Sequence, residues 1–514
     1  MTEVTRRQAI AISAMTLVLA GCAPEPMPTP THSPSPTPIG PPDWDALAAK
    51  LNGTLLRAGQ AGYQTARLVE NPRYDDARPL AVLTAASAAD VAAGVAFAAN
   101  YGIPLALRSG GHSYTGYSSG GAAGTGMPPS LVIDTRGMRA VALNSDGSAS
   151  IQAGASLAQV YSAIGSRGRS IAAGSCATVG VTGLVLGGGV GVMVREYGLS
   201  CDALTEIELV TADGQLRTVN PQSDPELFWA CQGGGGGHLG VVTKLTLATR
   251  PAPPVTMWSL RWPFAAAASV ITAWQDWAPN ADRRLWSTLK LLNGANHTDG
   301  PGLYLSGTWL GPESSLAGRL SELIQAVGSA PTRRGAAQHE YLDAMMRYAG
   351  CGGIPLARCT TDAGGVLKRE SSAATSHVPT ERLDSADIAT LLAKVEAASA
   401  VPGIREGGIS MDALGGAVGD LGPGDTAFPH RGAIMTVQYT ATFPDGTDPA
   451  PLDAYVRGFR EAMVPSWAEA AYINYADAGI RNPAMAYFGD NAARLAQVKR
   501  AYDPDNLFAQ PQGY

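Results

Sequence analysis

The chain has 514 residues, of which 45% are apolar, 16% are charged and 61 are glycine, with a net charge of −6. That length exceeds what a single core usually supports, so two lobes are expected, and the apolar share excludes a largely disordered protein. The glycines have no three-residue period, which excludes collagen, and no basic run stands out, which argues against a nucleic-acid partner.

At the N-terminus, Arg6-Arg7 precedes a short apolar run from Ala9 to Ala20. The run is too short for a bilayer span of about 20 residues and fits an export signal. The paired arginines resemble a twin-arginine signal, which exports proteins already folded; that suits a protein loaded with its cofactor first. Leu19-Ala20-Gly21-Cys22 resembles a bacterial lipobox, implying that Cys22 is acylated and holds the protein on the outer face of the cell membrane. An ordinary secretory signal with an incidental cysteine is the alternative. Residues 1–22 are therefore assigned to the signal. Residues 23–42, rich in proline, are assigned to an extended tether.

The globular body begins near Trp44. Residues 79–107 predict strand, helix over Ala88–Tyr101, and strand. LVIDT, AVAL and ASIQAG alternate as strands, and a helix starts near Ser156. LTEIELVTADGQLRTV predicts a hairpin turning at Asp213-Gly214, and VVTKLTLA a further strand. Prolines 251, 253 and 254 mark a boundary, giving a first domain over 43–250. From 251 to 465, strands such as VTMWSLRW, GLYLSGTWL and AIMTVQYTATF alternate with helices such as ASVITAWQDWA and SLAGRLSELIQAV, which predicts a sheet with helices on one face. The final segment, 466–514, carries a tyrosine-rich strand, AYINYAD, and a helix, DNAARLAQVKRAY.

Cys351 and Cys359 flank a loop-like stretch and are expected to be bridged, as export permits; two buried free thiols are the alternative. Cys201 and Cys231 sit in apolar contexts and suit the core. The histidines show no metal-ligand spacing, so no metal is expected.

A third of the glycines fall in three short blocks, 108–126, 174–191 and 233–240. Glycine lets backbone approach a ligand closely, and successive N–H groups in such turns form anion nests. Three blocks beside strands therefore suggest one large phosphate-bearing cofactor clasped by several loops. Gly235-x-Gly237-x-x-Gly240 matches a dinucleotide fingerprint, but it follows a helical segment and precedes a strand, the wrong context. Gly116-x-Ser118-x-Gly120 matches a nucleophile elbow, but its flanks are loops rather than strand and helix.

Together the blocks resemble the berberine bridge enzyme-like FAD-linked oxidase family, with the p-cresol methylhydroxylase and vanillyl-alcohol oxidase fold. Arg108-Ser109-Gly110-Gly111-His112-Ser113-Tyr114 resembles the first flavin loop, Gly174-Ser175-Cys176-Ala177-Thr178-Val179-Gly180 the second, and CQGGGGGHLGVVT the third; YFGDNAARLAQVKRAYDPDNLF resembles the closing segment. The resemblance implies an α+β fold: a two-lobed FAD-binding domain, a substrate domain with an antiparallel sheet covered by helices, and a C-terminal return to the first domain. It implies FAD bound bicovalently, through His112 to the flavin 8α carbon and through Cys176 to C6. Neutral imidazole and thiolate are both nucleophiles, so the chemistry is reasonable. Further cofactor-binding positions implied are Arg108, Ser109, Gly110, Gly111, Ser113, Ser175, Val179, Gly180, Gly183, Gly188, Gly240, Val242 and Asn474. Thr182-Gly183-Leu184 departs from plant relatives, which often carry glycine and histidine there. A small or branched residue at the position of Val179 is associated with oxygen access, which favours an oxidase over a dehydrogenase.

Oxidising an alcohol needs a base for the hydroxyl proton. Tyr472-Ile473-Asn474-Tyr475 resembles the family's Y-x-N-Y segment beside the flavin, which implies Tyr475 as base and Tyr472 as a further contributor; core aromatics are the alternative. A free phenol titrates near pH 10, so the base needs a stabiliser. Gln438 matches a substrate-facing position and, being unable to act as a base, would orient substrate by hydrogen bonds. Tyr114 and Asp412 are further candidates, Asp412 in GGISMDALGG being read as a solvated turn residue. The expected function is oxidation of an alcohol carbon of a sugar or glycosylated metabolite, with electrons passing to molecular oxygen to give hydrogen peroxide. The alternatives are an oxidative cyclase or tailoring enzyme of secondary metabolism, and a lipoprotein that binds a ligand without turnover.

Overall fold

Residues 40–514 are described by a computed structural model; Cys22, the signal and the tether up to residue 39 lie outside the described residues. The first sheet is built from β1 (Thr54–Leu56), β2 (Ala81–Thr84), β3 (Leu105–Arg108) and β4 (Leu131–Asp134), in the order β1-β2-β4-β3. β2, β4 and β3 run parallel, and β1 pairs antiparallel with β2. Parallel strands need a crossover, and the helix Ala88–Tyr101 carries the chain from β2 across to β3, with β4 between them, capped by the Ser87 hydroxyl and ended by Gly102. Val91, Val95 and Ala98 of that helix pack on Leu83, Leu105 and Ile133.

The second sheet is antiparallel, in the order β5-β6-β10-β8-β9. Its strands are β5 (Val141–Leu143), β6 (Ala149–Gln152), β8 (Leu204–Val210), β9 (Leu216–Val219) and β10 (Val241–Leu247), while β7 (Arg169–Ser170) and β11 (Arg250–Pro251) form a separate short ribbon. The helix Leu157–Gly165 opens on a capping box between Ser156 and Gln159. Its first N–H groups, those of Leu157 and Ala158, donate to Val179 and Ala177 carbonyls and stitch the second glycine block to the helix.

The third sheet has seven antiparallel strands, β12 (Val255–Arg261), β13 (Leu285–Asn293), β14 (Gly302–Trp309), β15 (Arg333–His339), β16 (Ser371–His377), β17 (Glu406–Ala413) and β18 (Met435–Phe443). Their order is β15-β12-β14-β13-β17-β18-β16. Side chains alternate across a strand, and here the alternation separates two environments. Leu289, Leu291, Ile409, Met411, Val437 and Tyr439 point to one face and form a core with buried residues of the helices Ala267–Trp277, Leu316–Val327, Ser385–Ala397 and Ala450–Trp467. Thr288, Lys290, Ser410, Asp412 and Gln438 line a cavity on the other.

The last segment returns to the second sheet. Arg494 pairs with Glu226 at 2.5 Å, Lys499 donates to the His238 carbonyl, and Tyr514 donates to the Gly234 carbonyl. The tyrosine-rich strand expected there is not formed. Ile473–Tyr475 is a single 3₁₀ turn, because Tyr475 N–H returns to the Tyr472 carbonyl and Tyr472 N–H donates to the Ser376 hydroxyl, leaving no ladder for a neighbouring strand. Cys351 and Cys359 form a disulfide that packs with Met346 and Ala349, against Ala158 and Ala177. Cys201 and Cys231 are buried free thiols. Among the described residues no helix is long and apolar enough to cross a membrane, and no cluster of His, Cys, Asp or Glu could hold a metal.

Three histidines besides His112 are held neutral by burial. His238 and His377 are pushed down to about 3, and His430, whose Nε2 donates to the Tyr487 carbonyl, to about 4. Unfolding lets all three take up a proton below their ordinary value near 6.5, so stability falls as pH drops from there towards 4. The expected loss is about 1.4 kcal/mol per pH unit for each histidine, read as a steep fall in the urea midpoint between pH 6.5 and 4.5. A flat midpoint over that range would show that the imidazoles are not held neutral.

Candidate functional site

The first glycine loop leaves the end of β3. Ser109 donates to the Ala153 carbonyl at 2.6 Å, and Thr182 donates to the same oxygen at 2.9 Å, so one carbonyl ties the first and second loops together. The loops cross at glycine: a Cβ on Gly110 would stand 2.1 Å from Gly180 N, and one on Gly180 would stand 2.1 Å from Gly110 N. No side chain fits that crossing, so Gly110→Ala is expected to cost about 3 kcal/mol and to lower the melting temperature markedly; an unchanged Tm would mean that the loops can part. The third block joins through Gly235 N–H, which donates to the Leu186 carbonyl, and Gln510, which donates to the Gly236 carbonyl.

These loops and the polar face of the third sheet enclose a cavity of about 580 Å³. Of the residues expected from sequence, Arg108, Ser109, Gly110, Gly111, His112, Ser113, Ser175, Cys176, Val179, Gly180, Gly183, Gly240, Val242, Gln438, Asn474 and Tyr475 all line it. His112 Nε2 is hydrogen-bonded to Thr178 Oγ1 at 3.0 Å and lies 3.8 Å from a Glu70 oxygen. Burial lowers the imidazole to about 4, so the ring is neutral. Burial raises the Cys176 thiol, opposed by the Lys290 ammonium. The residues fit a large cofactor: a Cβ on Gly183 would meet nothing within 4 Å, and the buried hydroxyls of Tyr117 and Ser118 at the cavity wall have no partner in the protein.

Two expected site residues, Gly188 and Tyr472, lie off the cavity, and Arg108 lines it. The Arg108 guanidinium does not face a ligand. It is fully enclosed and donates to the carbonyls of Ser118, Ala66 and Arg67 and to Asp134, leaving only its backbone at the cavity. Gly188 does not line the cavity, because it packs against the rings of Phe428 and Tyr472. Tyr472 does not line it either. Its hydroxyl accepts from Gly189 N at 2.9 Å, Val190 N at 3.2 Å and Asn474 Nδ2 at 3.0 Å, so it fixes the turn rather than touching substrate.

Tyr475 does face the cavity. Its ring stacks on Tyr114 at 5.6 Å and meets Tyr472 edge-on at 5.0 Å. Burial drives its phenol well above the ordinary value, and the charge of Asp412 adds to this. Asp412 is not a solvated turn residue: it lies in β17, opposite Thr288 of β13 and Thr436 of β18. Burial raises its carboxyl, opposed by Thr288 and Lys290. Gln438 donates to the Tyr114 hydroxyl at 2.6 Å. That pair also borders a second cavity of about 280 Å³, reached past Glu70, Asn71 and Thr440.

Sequence reasoning missed Trp286, Thr288, Lys290, Ser306, Tyr348 and Ser410, which also line the main cavity. The stretch Leu285–Asn293 held a signal, since Thr288 and Lys290 share one side of a strand whose other side carries Leu285, Leu289 and Leu291.

The chain matches the profile of an FAD binding domain over residues 79–220, and that described as berberine and berberine like over 471–513. It is 31% identical over 468 residues to the uncharacterized FAD-linked oxidoreductase YgaK of Bacillus subtilis, covering 89% of this chain and 96% of the relative. It is 29% identical to a chitooligosaccharide oxidase of Gibberella zeae, covering 84% and 87%. Among solved structures, Physcomitrella patens BBE-like 1 superposes with a TM-score of 0.81 at 27% identity, covering 91% of this chain and 98% of that one.

Proposed function

Because the chain belongs to the berberine bridge enzyme-like family of FAD-linked oxidoreductases, we propose that it oxidises an alcohol carbon of a sugar or glycosylated metabolite. His112 and Cys176 would hold FAD by covalent bonds, and the loop backbones of Gly110, Gly180, Gly183 and Gly240 line the same cavity. When bound there, FAD would supply the hydride acceptor and the chemistry that reduces oxygen to hydrogen peroxide. The observation that carries the reading is the meeting of Tyr475, Asp412 and Gln438 with His112 and Cys176 around one cavity.

The protein's own part is proton handling and orientation. Tyr475 takes the hydroxyl proton of the substrate while its own phenolic proton passes to Asp412, so the net proton acceptor is a carboxylate whose proton affinity burial has raised. In this reading the Asp412 carboxylate, whose charge is felt at the Tyr475 phenol, stands in place of a cationic stabiliser. Tyr472 holds the turn in place through its three donors. Gln438 fixes Tyr114, whose hydroxyl hydrogen is then free for a substrate oxygen. The similarity to a chitooligosaccharide oxidase supports a carbohydrate substrate.

A screen of sugars and polyketide glycosides for peroxide release tests the reading. Release from a sugar supports it; flavin reduction confined to cyclisable aglycones, or a flavin-free protein, overturns it. Export and anchoring through lipidated Cys22 form part of the same proposal, resting on residues 1–22; a Cys22→Ala variant is expected in the culture medium instead of the membrane fraction.

A further inference from the structure

We propose that Glu70 accepts the proton that His112 gives up as it bonds to the flavin, so that the chain installs this link on itself. The inference rests on the reading of a covalent His112–FAD bond and adds to it a residue that the glycine loops do not contain.

Glu70 lies outside the three glycine blocks but is fastened to the first of them. Its N–H donates to the carbonyl of Gly111, the residue before His112, at 3.1 Å. Its neighbours in the chain are tied to β16 and the residues leading into it. The Arg369 guanidinium donates to the Val69 carbonyl at 2.8 Å, and the Asn71 amide donates to the Ser372 carbonyl at 2.9 Å. The Thr361 hydroxyl, close in the chain to the disulfide at Cys359, donates to the Glu70 carboxylate itself at 3.3 Å. So held, a Glu70 oxygen stands 3.8 Å from His112 Nε2, and among the described residues no other carboxylate comes within 4.0 Å of that ring.

A neutral imidazole carries one N–H and one lone pair. Nε2 is engaged by Thr178 Oγ1 and faces Glu70, which leaves Nδ1 for the flavin. In the step, a bond from Nδ1 to the 8α carbon forms and one 8α C–H bond breaks. The electron pair of that C–H bond stays on the flavin, which is reduced, while the 8α proton and the Nε2 proton leave. Molecular oxygen then takes two electrons and two protons. In sum, imidazole, 8α methyl and oxygen give the linked, oxidised cofactor and hydrogen peroxide.

Bonding at Nδ1 makes the ring cationic, and its surroundings resist that charge: burial already holds the free imidazole down to about 4. A carboxylate beside Nε2 relieves it. The 3.8 Å gap is one that closes as the ring gains charge, since charge-assisted hydrogen bonds shorten to about 2.7–2.9 Å. Burial raises the Glu70 carboxyl, opposed by Thr361 and Arg369, so it takes a proton more readily than an exposed glutamate. Asp362 and Arg136 are the other charges felt there, and Lys368 and Glu370 border the second cavity, into which Glu70 can release the proton. Cys176 stands differently. Burial and, after it, the Glu70 charge raise its thiol, so removing that charge does not hinder the cysteine link.

The test reads bonds rather than turnover. Glu70→Gln protein is purified with its flavin and digested, and the flavin-bearing peptides are quantified by mass. The Cys176 link should match the native level, while the His112 link should form at least about tenfold more slowly, as for a lost base. Glu70→Asp, which keeps a carboxylate, should form more of the His112 link than Glu70→Gln. The Glu70→Gln protein, held by Cys176 alone, should complete the His112 link in air when pH is raised or formate is added, because hydroxide or the small carboxylate then takes the proton. A full His112 link in Glu70→Gln as isolated, equal loss of both links, a Glu70→Asp protein no better than Glu70→Gln, or no gain from either pH or formate overturns the proposal. A native protein without flavin on His112 overturns the covalent reading itself, and this inference falls with it.

Discussion

Tyr475→Phe is expected to slow substrate-driven flavin reduction by about 10²–10⁴-fold, the usual worth of a positioned base, while leaving the oxidised flavin spectrum intact. The phenyl ring keeps the 5.6 Å stacking on Tyr114 and the edge contact with Tyr472, so packing is preserved and only the proton acceptor is lost. Rapid mixing under anaerobic conditions measures the reduction step directly; an unchanged rate removes Tyr475 from the role. Asp412→Asn separates the two halves of the relay. Burial places the Asp412 carboxyl above the ordinary carboxylate value, so the native rate should fall as pH drops through that raised value and the carboxylate is lost. The asparagine variant should be slow throughout and lack this acidic limb. If the limb persists in the variant, another group carries it.

The second large effect concerns retention of the cofactor. The flavin of the native protein should remain with acid-precipitated protein, and each of His112→Ala and Cys176→Ala should still retain it through the remaining bond. The double variant should release nearly all of it, leaving a colourless pellet and a yellow supernatant. The two residues reach the cavity from separate loops, so neither single change removes the other's route. A native pellet that bleaches would show that FAD is held without covalent bonds. Mass measurement of the flavin-bearing peptides assigns each link.

The glycine loops were legible because their chemistry is local. Gly110 and Gly180 must lack a Cβ to cross, and that need is written as glycine in the sequence. His112 and Cys176 were singled out by the family resemblance that those loops carry. The sheet side of the cavity was not legible in that way. Which residues stand beside Tyr475 depends on β13, β17 and β18 lying side by side, and β13 stands over a hundred residues before the other two. Asp412 looked like a turn residue because Gly407, Gly408, Gly415 and Gly416 surround it. In the fold Gly408 lies against the Leu291 carbonyl, so close that a Cβ would stand 2.1 Å away, and glycine there lets the strand pass rather than end. The Tyr472–Tyr475 segment misled in the opposite direction. Its aromatic alternation suits a strand, but the Ser376 hydroxyl and the turn's own backbone satisfy its hydrogen bonds. Tertiary partners, absent from any local reading, decided both cases.

The two-faced third sheet has a consequence for how such an enzyme changes over time. Positions 286, 288 and 290 of β13, and 410 and 412 of β17, line the cavity, while Leu289, Leu291, Ile409 and Met411 between them anchor the helices. Mutation can therefore rewrite ligand preference one alternate residue at a time while the interleaved positions keep the scaffold folded. Selection for a new metabolite and selection for a sound fold act on different letters of the same strand. A lineage can drift across chemical niches here without first surrendering stability.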